Sequence, residues 1–279
     1  MKRKFKAGLP HFTFGMQGAA ALFLGALVAV FVMNGAGLSL SLMSGKAIVA
    51  HDAYLIISNA VIWMAAIFAF DYFICRKQTG MKLNFNLSAK NFSTYAFVFP
   101  LMAGMMLIAD FVTAQIPVTG PFFGPMYEFF SELMEKMTSD TATLFILAVV
   151  MAPLFEEIVF RGIMQKGMIN GGMKPTSAIW ISAIVFGLVH ANIWQFTGAV
   201  LLGYVLGLVY HRTKSLLMPI LLHAFNNFVS LLLIHYTDTE SFADAFGVSS
   251  YILLAAGIAL FGIFYYFFTE KYEIAHAED

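Results

Sequence analysis

The chain returns again and again to apolar stretches about as long as a bilayer is thick, and this bounds every fold open to it. A helix crosses roughly 30 Å of hydrocarbon in about 20 residues. Stretches of this kind cover 16–42, 53–75, 92–116, 142–167, 175–194, 196–211, 216–236 and 250–269. Of the 279 residues, 60% are hydrophobic and 11% charged, where soluble domains carry about 25% charged; the mean hydropathy is +0.79. In hydrocarbon each backbone N–H and C=O must be satisfied within the protein, and a helix does this locally. The expected fold is all-α, a polytopic membrane protein of about eight transmembrane helices. No repeat, linker or low-complexity tract divides it, so 1–279 is expected to form a single integral-membrane domain.

One apolar segment has a different pattern. In PFFGPMYEFFSELMEKM (121–137), Met126, Phe129, Phe130, Leu133, Met134 and Met137 share a helical stripe, with Glu128, Glu132 and Glu135 opposite. That period predicts an amphipathic helix lying at the outer interface.

Charge sets further bounds. The formal net charge is zero, which gives no general attraction to nucleic acid. The single cysteine, Cys75, excludes an internal disulfide and CxxC metal chemistry and is expected to pack as an apolar residue. Lys2, Arg3, Lys4, Lys6, Arg76, Lys77, Lys82, Lys90, Arg161, Lys166, Lys174, Arg212, Lys214 and Lys271 fall on one side of an eight-span topology; only Lys46 and Lys136 fall on the other. By the positive-inside rule, both termini are expected in the cytoplasm of a cell-membrane protein. The opening MKRKFKAGLPHFTFG has no clear small-residue cleavage site and reads as a retained flank.

An ionisable group inside a span costs about 2.5–3.5 kcal/mol on insertion scales, so each is a functional candidate. The set is Asp71, Asp110, Glu156, Glu157, Arg161, His190 and His223, joined by the uncharged Asn227. Asp71 and Asp110 sit near span ends and can reach the interfaces. By helical rise the others lie roughly 10–22 Å from the inner ends of their spans, so three helices bring them into one slab.

Local spacing suggests roles. Glu157 and Arg161 are at i, i+4 and can pair on one face. Glu156 points about 100° away, without a local cation, as suits a general base. Pro153 can open the helix beside it by removing a backbone bond to Val149. Pro219 precedes His223 by four residues and reads equally as a kink or as a helix-start proline. His223 and Asn227 share a face and can offer two hydrogen bonds to an oxyanion, or glue helices together. For His190, Phe186 can wall the imidazole and Gly187 allows close backbone approach. Asn226 points elsewhere and reads as a packing contact; Gly203 and Gly207 read as a helix-packing face.

E-E-x-x-x-R (Glu156, Glu157, Arg161), F-x-x-x-H (Phe186, His190) and H-x-x-x-N (His223, Asn227) follow one another on three spans, within a motif-bearing core at 141–236. This order resembles the CPBP intramembrane proteases, which comprise type II CAAX prenyl proteases and bacteriocin-processing or immunity proteins (the Abi family). The resemblance implies an eight-helix endopeptidase acting on a peptide or membrane-protein substrate within the bilayer. It assigns water activation to Glu156 with His190 as partner, oxyanion stabilisation to His223 and Asn227, and support to Glu157 and Arg161. The family has been described both as metal-dependent and as glutamate-type. No H-E-x-x-H is present, which favours a metal-free site, with zinc on Glu156, His190 and His223 as the alternative. Two other functions fit intramembrane carboxylates and histidines: a proton-coupled transporter, and a non-catalytic immunity or scaffold protein. The polar groups cluster instead of continuing to both faces, and the motifs are intact; both facts favour the peptidase.

Overall fold

The computed structural model describes residues 10–138, 140–237 and 239–271, the side chains of 133–138 and 271 aside. Lys2, Arg3, Lys4 and Lys6 of the charge pattern therefore lie outside the described residues, as do the side chains of Leu133, Met134 and Met137 in the amphipathic stripe.

Among the described residues the regular structure is all helical, without a strand. We name the helices α1 (Met16–Ser44), α2 (Asp52–Thr79), α3 (Phe92–Ala114), α4 (Gly120–Thr138), α5 (Thr141–Asn170), α6 (Pro175–Leu188), α7 (Ile193–Thr213), α8 (Leu217–Thr237), α9 (Phe242–Phe246) and α10 (Ser250–Glu270). Seven of them, α1, α2, α3, α5, α7, α8 and α10, are long and apolar enough to cross a membrane. The expected eighth, α6, has 14 residues, about 21 Å by helical rise, which is less than the hydrocarbon thickness. It stops at Leu188, not 194, because Ala191 turns the chain at φ 58° and Asn192 caps α7.

The chain packs as two compact units. The first is the described part of Met1–Asn84 together with Gly162–Lys174. Here small residues let α1 lie close to α2: a Cβ on Gly25 would meet Ala65 O and Ala69 Cβ at 2.7 Å. Tyr54 donates its hydroxyl to Met33 O across the same pair. Phe23, Phe31 and Leu42 of α1 stay exposed, a surface suited to lipid.

The second unit, Phe85–Arg161 with Pro175–Asp279, contains every candidate site residue. Its core is Val98, Leu101, Met102, Leu206, Val209, Met218, Leu222 and Phe268. Gly104 of α3 meets the backbone of Phe261 on α10 at 2.6 Å from where its Cβ would stand. Leu144 and Val149 of α5 pack with Leu231 of α8, and this seam sets α8 beside the Glu pair. Pro219 falls in the first turn of α8, where a missing N–H costs nothing; of its two readings, the helix-start one holds.

Helix α4 is anchored by its rings. Phe123, Tyr127 and Phe130 gather on Trp194 at ring distances of 6.4, 5.1 and 6.0 Å. Phe130 belongs to the expected apolar stripe; Met126 and Phe129 of that stripe are exposed, together with Phe122. The stripe bearing aromatic rings at both 123 and 127 offers more stacking area to Trp194 than the Met-rich one.

Candidate active site

The site begins with an irregular helix. Phe145–Met151 and Ile158–Gln165 of α5 are wound in wide π turns with i→i+5 hydrogen bonds. Between them lies APLFEE, with Pro153 at its start. The Ala152 N–H donates to Leu147 O. Ala148 O thus loses the partner it would have in an α-turn, and in a π turn its partner would be Pro153, which has no N–H. The freed carbonyl accepts instead from Asn227 Nδ2 of α8 at 2.7 Å. The expected proline effect on Val149 therefore falls one residue earlier, on Ala148, because the turn is wide.

Arg161 and Glu157 are wholly buried and paired, Nη1 to Oε1 at 2.7 Å. Nη2 donates to Gly203 O at 3.0 Å, and the guanidinium lies over the Phe186 ring at 4.6 Å. A Cβ on Gly203 would stand 3.2 Å from Nη2. Sequence reading took Gly203 for helix packing; its absent side chain and its carbonyl both serve Arg161. The signal was the small residue itself, but its partner lies 42 residues away.

His223 joins the two carboxylates. Its Nδ1 is 3.0 Å from Glu157 Oε1, and its Nε2 is 3.8 Å from Glu156 Oε2. Adjacent helical residues cannot aim at one point, but a ring with nitrogens on two edges can face both. Since a carboxylate can only accept, His223 carries a proton on Nδ1 and turns its Nε2 edge toward Glu156. The Glu156 side chain keeps 16% exposure, while that of Glu157 keeps none.

His190 is not on a helical face, as the depth estimate assumed. It lies in the turn two residues after α6, its Nδ1 2.8 Å from Phe186 O. Phe186 is the hub of the site: its ring packs edge-on with His190 at 5.1 Å, His223 at 5.5 Å and Phe160 at 5.2 Å. Glu156 lies within electrostatic reach of both histidines. Asn226, read as a packing contact, donates to Asn227 Oδ1 at 3.0 Å and so orients that amide. Ser182 of α6 donates to Phe160 O at 2.9 Å within the second wide segment of α5.

Among the described residues, no three His, Cys, Asp or Glu side chains are grouped as a metal-binding set. His223 Nδ1 and Glu157 Oε1 are spent on each other and His190 Nδ1 on a carbonyl. These contacts leave Nε2 of both histidines and the Glu156 carboxylate as the atoms a zinc would use.

With this geometry in hand, comparison with known proteins is informative. Residues 138–229 match the model of the type II CAAX prenyl endopeptidase Rce1-like family. This stretch is similar to that family. All the motif residues fall inside the Rce1-like core, and the resemblance drawn from them is borne out. The chain is also similar to YdiL of Bacillus subtilis, whose name gives it as a candidate membrane peptidase, with 32% identity over 82 residues. That alignment takes in 29% of this chain and 33% of YdiL, so the match spans about a third of the relative's length. No solved structure matches the chain.

Proposed function

We propose that the chain is an intramembrane endopeptidase hydrolysing a peptide bond of a membrane-associated or lipidated protein or peptide. One observation carries this reading: His223, held by Glu157 through Nδ1, sets its Nε2 3.8 Å from Glu156 Oε2. The gap is too long for a direct hydrogen bond and suits a water that donates one O–H to each acceptor. Such a water turns its own lone pair outward, toward a substrate carbonyl.

The steps follow from these atoms. The water oxygen bonds to the carbonyl carbon as Glu156 takes the water's proton. Asn227 has one amide N–H committed to Ala148 O; the other meets the developing oxyanion. Glu156 then passes its proton to the leaving amine as the C–N bond breaks. Glu157 and Arg161 hold His223 in the required tautomer. His190, its Nδ1 satisfied, keeps Nε2 for the reacting groups. The family name and the YdiL similarity support a peptidase, and they make a prenylated substrate the first to try.

The test uses the purified full chain in detergent with a farnesylated CAAX-type peptide and the same peptide without lipid. Wild type should release a cleaved C-terminal fragment and Glu156→Gln none. A folded wild-type chain that cleaves neither peptide nor any other membrane-associated substrate sinks the reading. The loop charges further support cytoplasmic termini and substrate entry from the cytoplasmic half. In a Cys75→Ser background, cysteines at Ile193 and Lys214 can be labelled on intact cells with an impermeant thiol reagent. Labelling at Lys214 but not at Ile193 would invert that topology.

A further inference from the structure

We propose that Asn192 is a positioning residue that holds the His190 turn in its working form. The proposal rests on the peptidase reading, in which His190 faces the reacting groups. Between α6 and α7 the chain reverses within four residues, with Ala191 in the left-handed region at φ 58°. An alanine adopts that conformation only when its surroundings require it. The Asn192 side chain supplies the requirement. Its Oδ1 accepts from Gln195 N–H at 2.8 Å, capping α7. Its Nδ2 donates to His190 O at 3.1 Å and to Gln195 Oε1 at 2.7 Å. Only an oxygen can accept from the Gln195 N–H, so the orientation of the amide follows from its partners.

The consequence reaches the imidazole. The His190 N–H still donates to Gly187 O of α6 at 3.1 Å, but its carbonyl lies beyond the helical ladder. Asn192 ties its carbonyl to the first turn of α7. On the other side, His190 Nδ1 lies against Phe186 O, which can only accept; Nδ1 therefore bears a proton. Both restraints act on one residue, the first through its main chain and the second through its ring. A helix cap alone would be served by a serine. The amide N–H toward His190 O is what asparagine adds.

The experiment uses the full chain in detergent. Asn192→Ser keeps a capping oxygen but has no arm toward His190 O; Asn192→Ala has neither. Thermal unfolding, kcat and KM are measured for each. The ring of His190 is followed by nitrogen NMR in 15N-histidine protein, its signals assigned by their loss in His190→Gln. Asn192→Ser is expected to unfold like wild type, with kcat down about tenfold, as small misplacements of a catalytic partner cost, and KM unchanged. Its His190 signals should leave the Nδ1–H position for a tautomer average. Asn192→Ala should show the same losses and also melt lower. A wild-type kcat, or unmoved His190 signals, in Asn192→Ser overturns the proposal. The ring signals are read without substrate, so they test the positioning even if the chain cleaves no peptide, an outcome that would fell only the peptidase reading.

Discussion

Two acid–arginine pairs sit in this chain, one in each compact unit, and both stand at a wide π turn. In the first unit Asp71 meets Arg76 through Nε at 2.8 Å and also accepts the Leu83 N–H at 2.7 Å. The spacing is i, i+5, which places residues on different faces of an α-helix but on a shared face when each turn is a residue wider. In the second unit Glu157 meets Arg161, with His223 on the same oxygen. The Arg76 side chain keeps 35% exposure and that of Arg161 none. The difference teaches what a charge in an apolar helix is for. Asp71 spends its acceptors on closing a chain turn. Glu157 spends one on an imidazole, and that imidazole faces a second carboxylate. The same device, a widened helix with a paired acid, closes a chain turn in one place and orients an imidazole in the other.

The largest expected effect tests the one group without a counterpart beside Asp71. Glu156→Gln should cut peptide turnover by about 10²–10⁴-fold, the range for removing a general base, while the protein inserts and melts normally. Near-normal turnover by the purified variant would remove Glu156 from that role.

Next come the two arginines. Arg161→Ala leaves Glu157 buried without its cation and should cost about 3–5 kcal/mol, read as a lower melting temperature and lower abundance. Arg76→Ala, at a partly exposed pair, should cost no more than about 1 kcal/mol. Equal losses would erase the comparison. An Arg161→Ala protein with wild-type melting but no activity would make Arg161 part of the reacting site.

A smaller effect concerns the entrance to α5. Asp140 caps this helix through Thr143, whose hydroxyl and N–H hold the carboxylate below its usual range. The carboxylate's contribution is full above its unfolded value and is lost as pH falls through the lowered folded one. Acidification through that window should slightly lower the melting temperature of wild type. Asp140→Asn, which caps without titrating, should lose this dependence; an identical acid response in the variant would remove Asp140 as its source.

The smallest expected effect is none. Thorough chelation should leave peptide cleavage intact, since Glu156 can take the water's proton without a metal. Loss of activity that zinc restores would make Glu156, His190 and His223 ligands that rearrange around a metal.

Much of this was legible in the residues. Apolar runs of bilayer length announced an all-helical membrane chain, and the pairing of Glu157 with Arg161 could be read from their spacing alone. The Asp71–Arg76 pair could not, because i, i+5 is not a neighbouring position until the helix widens. The span expected over 175–194 was drawn too long because hydropathy continues through Val189 and Ile193 while the backbone has already turned. His190 was accordingly set on a helical face it does not occupy.

By itself, then, the sequence determined the helical class, the order of the motifs and the contacts within a turn or two, since rise and rotation per residue are constants of the helix. Tertiary structure decided that one imidazole spans both glutamates, that Asn227 answers the carbonyl freed before Pro153, and that the missing Cβ of Gly203 makes room for Arg161. These depend on where helices widen and how closely they approach. Both are set by packing between residues far apart in the chain, which no local period records.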